Sequence, residues 1–327
     1  MIRWGILSTA KIGRQQVIPA IQRADNGSVE AIASRGDKAK EVAEELGIPK
    51  AYTSYEALLE DPEIDAVYIP LPNGLHKEWV RKAAEHGKHV LCEKPAALDS
   101  KELEEMLRAC EENNVLFMEA FMYQFHPQHN QVKQLIKDGE IGEVTLMRAK
   151  FSFLLKDDTN IRLDAKLGGG ALYDVGCYGI HSICHILEAQ PTSVATAAKF
   201  SDTGVDTTLT GVLTFGDGRL ANFDCSFDTY PRCGYEVVGS KGSIEVLNAY
   251  RPDLNPNGQG IIKVTKDSGE TSDYQIEGDQ YRLQVEHFAD SILQQKEPTY
   301  GKEQVRNHFA VLDACYQSAR TGETVKL

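Results

Sequence analysis

The chain has 327 residues, 25% of them charged and 42% hydrophobic, with a formal net charge of -13, which suits a globular protein long enough for two separate cores. The acidic balance argues against a nucleic-acid or anionic-membrane partner, since either would want a basic face. No run approaches the roughly 18 apolar residues of a membrane span, the strand expected from residue 2 leaves no room for a signal peptide, and seven scattered cysteines without a C-x-x-C pair read as reduced, cytoplasmic thiols.

The first element is a strand, Ile2 to Leu7, running into Ser8-Thr9-Ala10-Lys11-Ile12-Gly13. In the dinucleotide fingerprint G-x-G-x-x-G, glycines let backbone amides approach a pyrophosphate at a helix N-terminus. Here Ser8, Ala10 and Gly13 take the three glycine places, a degenerate match supported by the strand before it and by the apolar run Val17 to Ile21 after it. Ser8, Thr9, Ala10, Lys11 and Ile12 are therefore the candidate cofactor-cradling turn. A second strand, Ser28 to Ser34, ends at Arg35, about where this fold meets the adenosine ribose. An acidic residue there would bond the ribose hydroxyls of NAD, whereas Ser34 and Arg35, with Lys38 in the helix Asp37 to Leu46, suit the 2′-phosphate of NADP.

Strand and helix patterns then alternate. Ile64 to Pro70 reads as an apolar strand, Glu78 to Glu85 as a helix stopped by Gly87, and His89 to Cys92 as another strand. Leu103, Met106, Leu107 and Cys110 mark one face of a helix capped at Asp99 or Ser100, and Val115 to Phe121 follows as a strand. This alternation predicts an α/β domain over residues 1–122, a Rossmann doubly wound parallel sheet. The loop containing Leu71, Pro72, Asn73 and His76 falls on its cofactor edge, where contact with the nicotinamide half and simple helix initiation are both readings of it. Lys94 follows a strand on the same edge. Pro95 biases Lys94 toward an extended conformation, and cis is accessible to the bond between them.

After Gly139 and Gly142 the pattern changes to long strands: Val144 to Phe153, Val194 to Phe200, Thr207 to Phe215, Arg219 to Phe227, Tyr235 to Val238, Ser243 to Val246, Ile261 to Thr265 and Thr271 to Ile276. Turns such as Gly216-Asp217-Gly218 separate them. Residues 123–327 are thus expected to form an α+β domain with a large, mostly antiparallel open sheet. Two closing helices, Gln280 to Gln294 and Gln304 to Arg320, can pack back on the first domain.

Hydride transfer from a carbon bearing a hydroxyl needs a nicotinamide and a base for the hydroxyl proton. The glycines Gly168-Gly169-Gly170 let something approach the backbone closely at the start of a helix. On that helix Asp174, Tyr178, His181 and His185 fall on one face by α-helical spacing. Tyr178 is the preferred acid/base, against the plainer reading of a buried structural tyrosine. Bringing a tyrosine from a pKa of about 10 to about 7 requires roughly 4 kcal/mol, and one ammonium at about 4 Å in an effective dielectric near 20 supplies about that amount. Lys94 is the candidate ammonium. His181 and His185 have the spacing of a metal pair, but no third ligand accompanies them and no metal is expected. His126 and His129 read as a helix start, and Cys177 as packing.

These residues resemble the glucose-fructose oxidoreductase, inositol dehydrogenase and rhizopine catabolism family, Gfo/Idh/MocA. The similarity spans the chain: the opening turn, Pro72-Asn73 with His76, Gly87 to Pro95 with its Glu93-Lys94-Pro95, and the glycine triplet leading to Asp174. Glu119 to Gln128 and Asp174 to Tyr178 resemble more narrowly the branch of NADP-dependent D-xylose 1-dehydrogenases and trans-dihydrodiol dehydrogenases. The resemblance implies Tyr178 as acid/base where much of the family has a histidine, Lys94 as its electrostatic partner, Asp174 in the supporting network and Glu93 near the cofactor ribose. It also implies a homodimer or higher homo-oligomer through the C-terminal sheet. The expected activity is NADP-dependent oxidation of a polyhydroxylated small molecule, a cyclic sugar or related secondary alcohol, with dual use of NAD left open. Dihydrodiol oxidation, ketone or imine reduction, and a non-catalytic NAD(P)-binding regulator are the alternatives.

Overall fold

A computed structural model describes residues 1–327 as two compact units, Met1–Met122 with Gln280–Arg306, and Tyr123–Asp279 with Asn307–Leu327. The first is built on six strands, β1 (Ile2–Leu7), β2 (Gly27–Ala33), β3 (Lys50–Tyr52), β4 (Ala66–Ile69), β5 (His89–Cys92) and β6 (Phe117–Glu119). They lie in the order β3-β2-β1-β4-β5-β6, with every neighbouring pair parallel. Trp4, Ile6, Ile32, Val67, Leu91 and Phe117 are fully buried, as strands covered on both faces require. The order reverses between β1 and β4, which makes the crevice beyond their carboxyl ends the expected ligand edge.

The strand β3 and the short helix Tyr55–Leu59 have no counterpart in the sequence reading. Lys50-Ala51-Tyr52 is too short to show an alternation, and it forms because the edge of β2 offers it partners. Ser54 caps the helix by accepting the Ala57 N–H at 3.2 Å. The helix Gln280–Gln294 completes this unit although it arrives late in the chain. Its Phe288 packs against Trp4 with ring centroids 5.9 Å apart, and Asn26 donates to Glu286 O and Asp290.

The second unit carries nine strands: β7 (Val144–Leu154), β8 (Pro191–Phe200), β9 (Asp206–Phe215), β10 (Leu220–Ser226), β11 (Asp228–Gly239), β12 (Gly242–Leu247), β13 (Gly260–Lys266), β14 (Thr271–Ile276) and β15 (Val325–Lys326). Their order is β14-β13-β12-β11-β7-β10-β9-β8-β15. Only β7 and β10 pair in parallel, because β10 inserts between β7 and β9. One face packs on the helix Cys177–Leu187, where a Cβ on Gly179 would meet Phe223 and Ala149 at 3.3 and 3.5 Å. The other face carries ion pairs such as Arg148–Glu236 and Lys150–Glu245, the in-out alternation of an antiparallel sheet. No helix is long and apolar enough to cross a membrane.

Replacing Phe288 by Ala removes a fully buried ring from the first unit. It is expected to cost about 3–5 kcal/mol, read as a lower unfolding midpoint in urea, and an unchanged midpoint would show that this helix contributes little to the Rossmann core.

Candidate active site

The carboxyl edge of the first sheet is built from four chain segments. The strand β1 runs into Ser8 at φ 142°, a conformation that glycine would adopt more cheaply. The serine compensates by accepting the Ala10 N–H on its Oγ at 3.0 Å. The following helix has a π turn over Gly13–Val17, a feature that often marks functional sites. At Gly13 a Cβ would lie 3.5 Å from the Tyr68 ring and 3.6 Å from Pro70, so the turn sits close against the end of β4. Thr9 and Ile12 are half-buried in this turn and Lys11 is exposed.

Beyond β2, Ser34 is buried and its Oγ has no hydrogen-bond partner, while Arg35 and Lys38 are exposed. An orphan buried hydroxyl costs about 1–3 kcal/mol, so an anion bound here would satisfy Ser34 and the adjacent guanidinium together. Tyr55, from the unexpected helix, lies beside Ser8 and faces the Arg35 charge. It joins the first two segments.

The third segment follows β4. Leu71 is buried and Pro72 and Asn73 are half-buried, and the 3-10 turn Asn73–Leu75 leads into the helix His76–Glu85. His76 is fully buried, with Nδ1 3.0 Å from Pro95 O and Nε2 2.8 Å from Leu71 O. Both ring nitrogens face backbone carbonyls; desolvation pushes the imidazole pKa down, and the neutral ring donates its one N–H to one of the two. His76 ties the third segment to the fourth.

In that fourth segment the Lys94–Pro95 peptide is cis and Lys94 is half-buried. Glu93 accepts the Tyr68 hydroxyl. Glu119, which ends β6, is fully buried, with Oε1 accepting the Ala96 N–H at 2.8 Å and Oε2 the Tyr300 hydroxyl at 3.1 Å.

In the second unit the glycine triplet serves the chain itself. The sequence reading takes these glycines as room for something to approach, and the approaching groups are protein. A Cβ on Gly169 would run into the Arg162 carbonyl, and one on Gly170, at φ 139°, into the Asp206 carboxylate. Buried Asp206 accepts the Leu172 N–H at 2.7 Å and the Tyr316 hydroxyl at 2.8 Å. Burial pushes its pKa up to about 6. A carboxylate therefore already answers the positive end of the helix.

The helix has a π turn, Leu172–Gly176, before its regular part begins at Cys177. That wider turn interrupts the α-helical spacing assumed between Asp174 and Tyr178. Asp174 pairs with Arg162, Nε to Oδ2 2.6 Å, so it fastens the helix to the 160–164 turn. Tyr178 is 6% exposed and its ring lies among Tyr123, Phe151 and Tyr250, at centroid distances of 5.7, 5.4 and 5.3 Å. His181 Nδ1 meets the Tyr123 hydroxyl at 2.5 Å and its ring stacks on His185. His126 caps the helix Pro127–Lys137 by accepting the Gln128 N–H, and His129 bonds the Tyr235 hydroxyl. The Cys177 thiol donates to Tyr173 O at 3.0 Å.

Residues 2–121 match the family model described as Oxidoreductase family, NAD-binding Rossmann fold, and residues 129–245 match the GFO/IDH/MocA C-terminal domain. The chain belongs to the Gfo/Idh/MocA oxidoreductase family. It is an NAD(P)-dependent oxidoreductase, similar over 99% of both chains and at 41% identity to a D-xylose 1-dehydrogenase (NADP(+)) of Haloferax volcanii. A trans-1,2-dihydrobenzene-1,2-diol dehydrogenase of Xenopus laevis is 34% identical over 75% of this chain and 74% of its own. Among solved structures, an aldose-aldose oxidoreductase from Caulobacter crescentus, complexed with glycerol, superposes with a TM-score of 0.92 at 26% identity, over 100% of this chain and 99% of that one. A 3-ketoreductase from Actinomadura kijaniata, in complex with NADP and TDP-benzene, gives 0.91 at 32% identity over 97% of each.

Tyr55, Glu119, Arg162 and Asp206 escaped the sequence reading as members of these sites. The legible signal was a lone acid in an apolar run, as in Phe117-Met118-Glu119-Ala120-Phe121 and Val205-Asp206. Gly169→Ala is expected to displace the 160–164 turn at about 1–3 kcal/mol. A thermal melt checks this, and a wild-type midpoint would mean that the turn yields without strain.

Proposed function

We propose that this oxidoreductase is an NADP-dependent dehydrogenase of a cyclic sugar or related secondary alcohol, with oxidation of an aldose at C1 to the lactone as its reaction. The observation that supports the reading is how firmly each of two candidate residues, Lys94 and Tyr178, is held within its own unit. The lysine stands on a carboxyl-edge loop braced by His76 and Glu119, and the tyrosine stands on a helix fastened by Asp206 and by the Arg162–Asp174 ion pair. The Actinomadura 3-ketoreductase has been solved with a tyrosine changed to phenylalanine and with a lysine changed to alanine. Those two positions are separated by the same interval as Lys94 and Tyr178.

In this reading Tyr178 accepts the substrate hydroxyl proton, Lys94 stabilises the phenolate, and Asp174 acts through the anchored helix. Bound NADP supplies the nicotinamide that accepts the hydride. The turn Ser8, Thr9, Ala10, Lys11 and Ile12 holds the pyrophosphate, and Glu93 the ribose region. Ser34 and Arg35, with Lys38, hold the 2′-phosphate, for which the unpartnered Ser34 hydroxyl is the supporting observation. Leu71, Pro72 and Asn73 line the nicotinamide side, and His76 acts behind them as a brace. The ion-paired outer face of the nine-stranded sheet is the surface proposed for a homodimer. The seven free cysteines suit a cytoplasmic enzyme.

The kinship with the 3-ketoreductase favours a second reading, reduction of a keto sugar, in which Tyr178 donates the proton that it otherwise accepts. Oxidation of a trans-dihydrodiol would use the same two residues. Assays with NADP or NADPH against sugars, keto sugars and diols discriminate these reactions.

Tyr178→Phe is expected to lower kcat by about 10²–10⁴-fold with NADP affinity little changed. A double-mutant cycle with Lys94→Ala should be strongly non-additive. Wild-type turnover in the phenylalanine variant, or simple additivity, would refute the pairing. Arg35→Ala should weaken NADP by about 1.5–3 kcal/mol while sparing NAD, and equal losses would remove the guanidinium from the 2′-phosphate.

A further inference from the structure

The strand β6 ends in a carboxylate where everything beside it is apolar: Phe117, Met118, Ala120 and Phe121 are buried around a buried Glu119. Such a group is expensive to keep unless donors meet it, and two do. The Ala96 N–H, two residues beyond Lys94, reaches Oε1, and the Tyr300 hydroxyl reaches Oε2. Tyr300 is itself buried and held edge-on to Phe121 at 5.9 Å. The other charged or titratable groups facing the carboxyl are Lys94, Glu93 and Cys92, all at the end of β5. The Lys94 charge favours the ionised form and the Glu93 charge opposes it.

We propose that Glu119 is the positioning residue for Lys94: its ionised carboxylate grips the Ala96 amide, fixes the loop that carries the ammonium, and attracts that ammonium by its own charge. The proposal rests on Lys94 being catalytic, as read above. A charge-assisted hydrogen bond is about twice as strong as a neutral one, so a protonated Glu119 holds the loop less well and no longer attracts the Lys94 ammonium. Burial raises the Glu119 pKa to about 7, which places this loss in an ordinary assay range. Turnover should therefore fall on an acid limb near neutrality.

The linkage to stability has the opposite sense. The folded chain keeps this proton where the unfolded chain, with its carboxyl near the ordinary pKa of about 4.3, has lost it. The raised pKa thus makes Glu119 contribute a loss of stability as pH climbs from about 4 to about 7. Removing the charge while keeping the shape should spare or stabilise the fold at pH 8 and still impair catalysis.

The experiment is Glu119→Gln, with kcat measured from pH 6 to pH 8 beside a thermal melt at pH 8. We expect kcat at pH 8 to drop about tenfold or more, on the scale of one charged hydrogen bond, with the acid limb easing from a two-proton to the one-proton slope that Tyr178 as base still imposes, cofactor KM unchanged, and a melting point equal to or above wild type. Tyr300→Phe is the second variant. It removes a donor that lowers the Glu119 pKa and should move the acid limb of the wild-type profile to higher pH. Wild-type kcat and acid limb in Glu119→Gln, or an unmoved limb in Tyr300→Phe, overturns the proposal. Lys94→Ala separates the two layers: if it is fully active, the catalytic reading fails, whereas if it is inactive and Glu119→Gln behaves as wild type, only the positioning role fails.

Discussion

A carboxylate taken out of water must be answered by donors, and this fold answers two of them with backbone amides at points where the chain turns. Glu119 holds Ala96 and Asp206 holds Leu172. The solvation lost by each amounts to several kcal/mol, which charged hydrogen bonds of about 1.5–3 kcal/mol apiece offset in part. Each carboxylate also takes a tyrosine hydroxyl, from Tyr300 and Tyr316. Because the penalty for an unmet charge is so large, neither turn can drift without exposing it, and the loop of Lys94 and the helix of Tyr178 inherit that fixity.

Much of the scaffold was legible in the sequence because its signals are local. Strand runs such as His89 to Cys92 and Thr271 to Ile276, and the helix Gln280 to Gln294, appear with the bounds read from the apolar pattern. Whether the parallel sheet buries both faces follows from continuous apolar runs, and those were plain. What was not legible depends on partners distant in the chain. The three-residue β3 exists only because β2 offers it hydrogen bonds, and the long β11 extends well beyond the four residues whose alternation announced it. In the site, Arg162 gave no local sign of its bond to Asp174, and a π turn has no sequence signature comparable to a cap or a glycine stop.

The histidines show how spacing and environment divide the work of interpretation. His181 and His185 stand one turn apart, which is as much as the sequence can say about a metal pair. In the folded unit His181 meets the Tyr123 hydroxyl, His129 meets the Tyr235 hydroxyl, and desolvation drives the pKa of all three rings down. Burial among aromatic rings keeps them neutral, and His129 on its helix ties to the sheet through Tyr235. His76 plays the same part in the other unit, spanning two loops that no strand pairing connects.

The Rossmann unit is discontinuous in sequence: its last helical piece begins at Gln280, after the whole nine-stranded sheet except β15 has been encoded. During synthesis the six parallel strands must therefore wait, with the surface around Trp4 still uncovered, until the helix Gln280–Gln294 has emerged. The second unit waits as well, for Asn307–Leu327. Such long-range closure slows folding and exposes apolar surface to aggregation. The face that Phe288 covers thus stays open from the making of β6 until Gln280–Gln294 arrives, the interval in which this unit is most prone to misassociation.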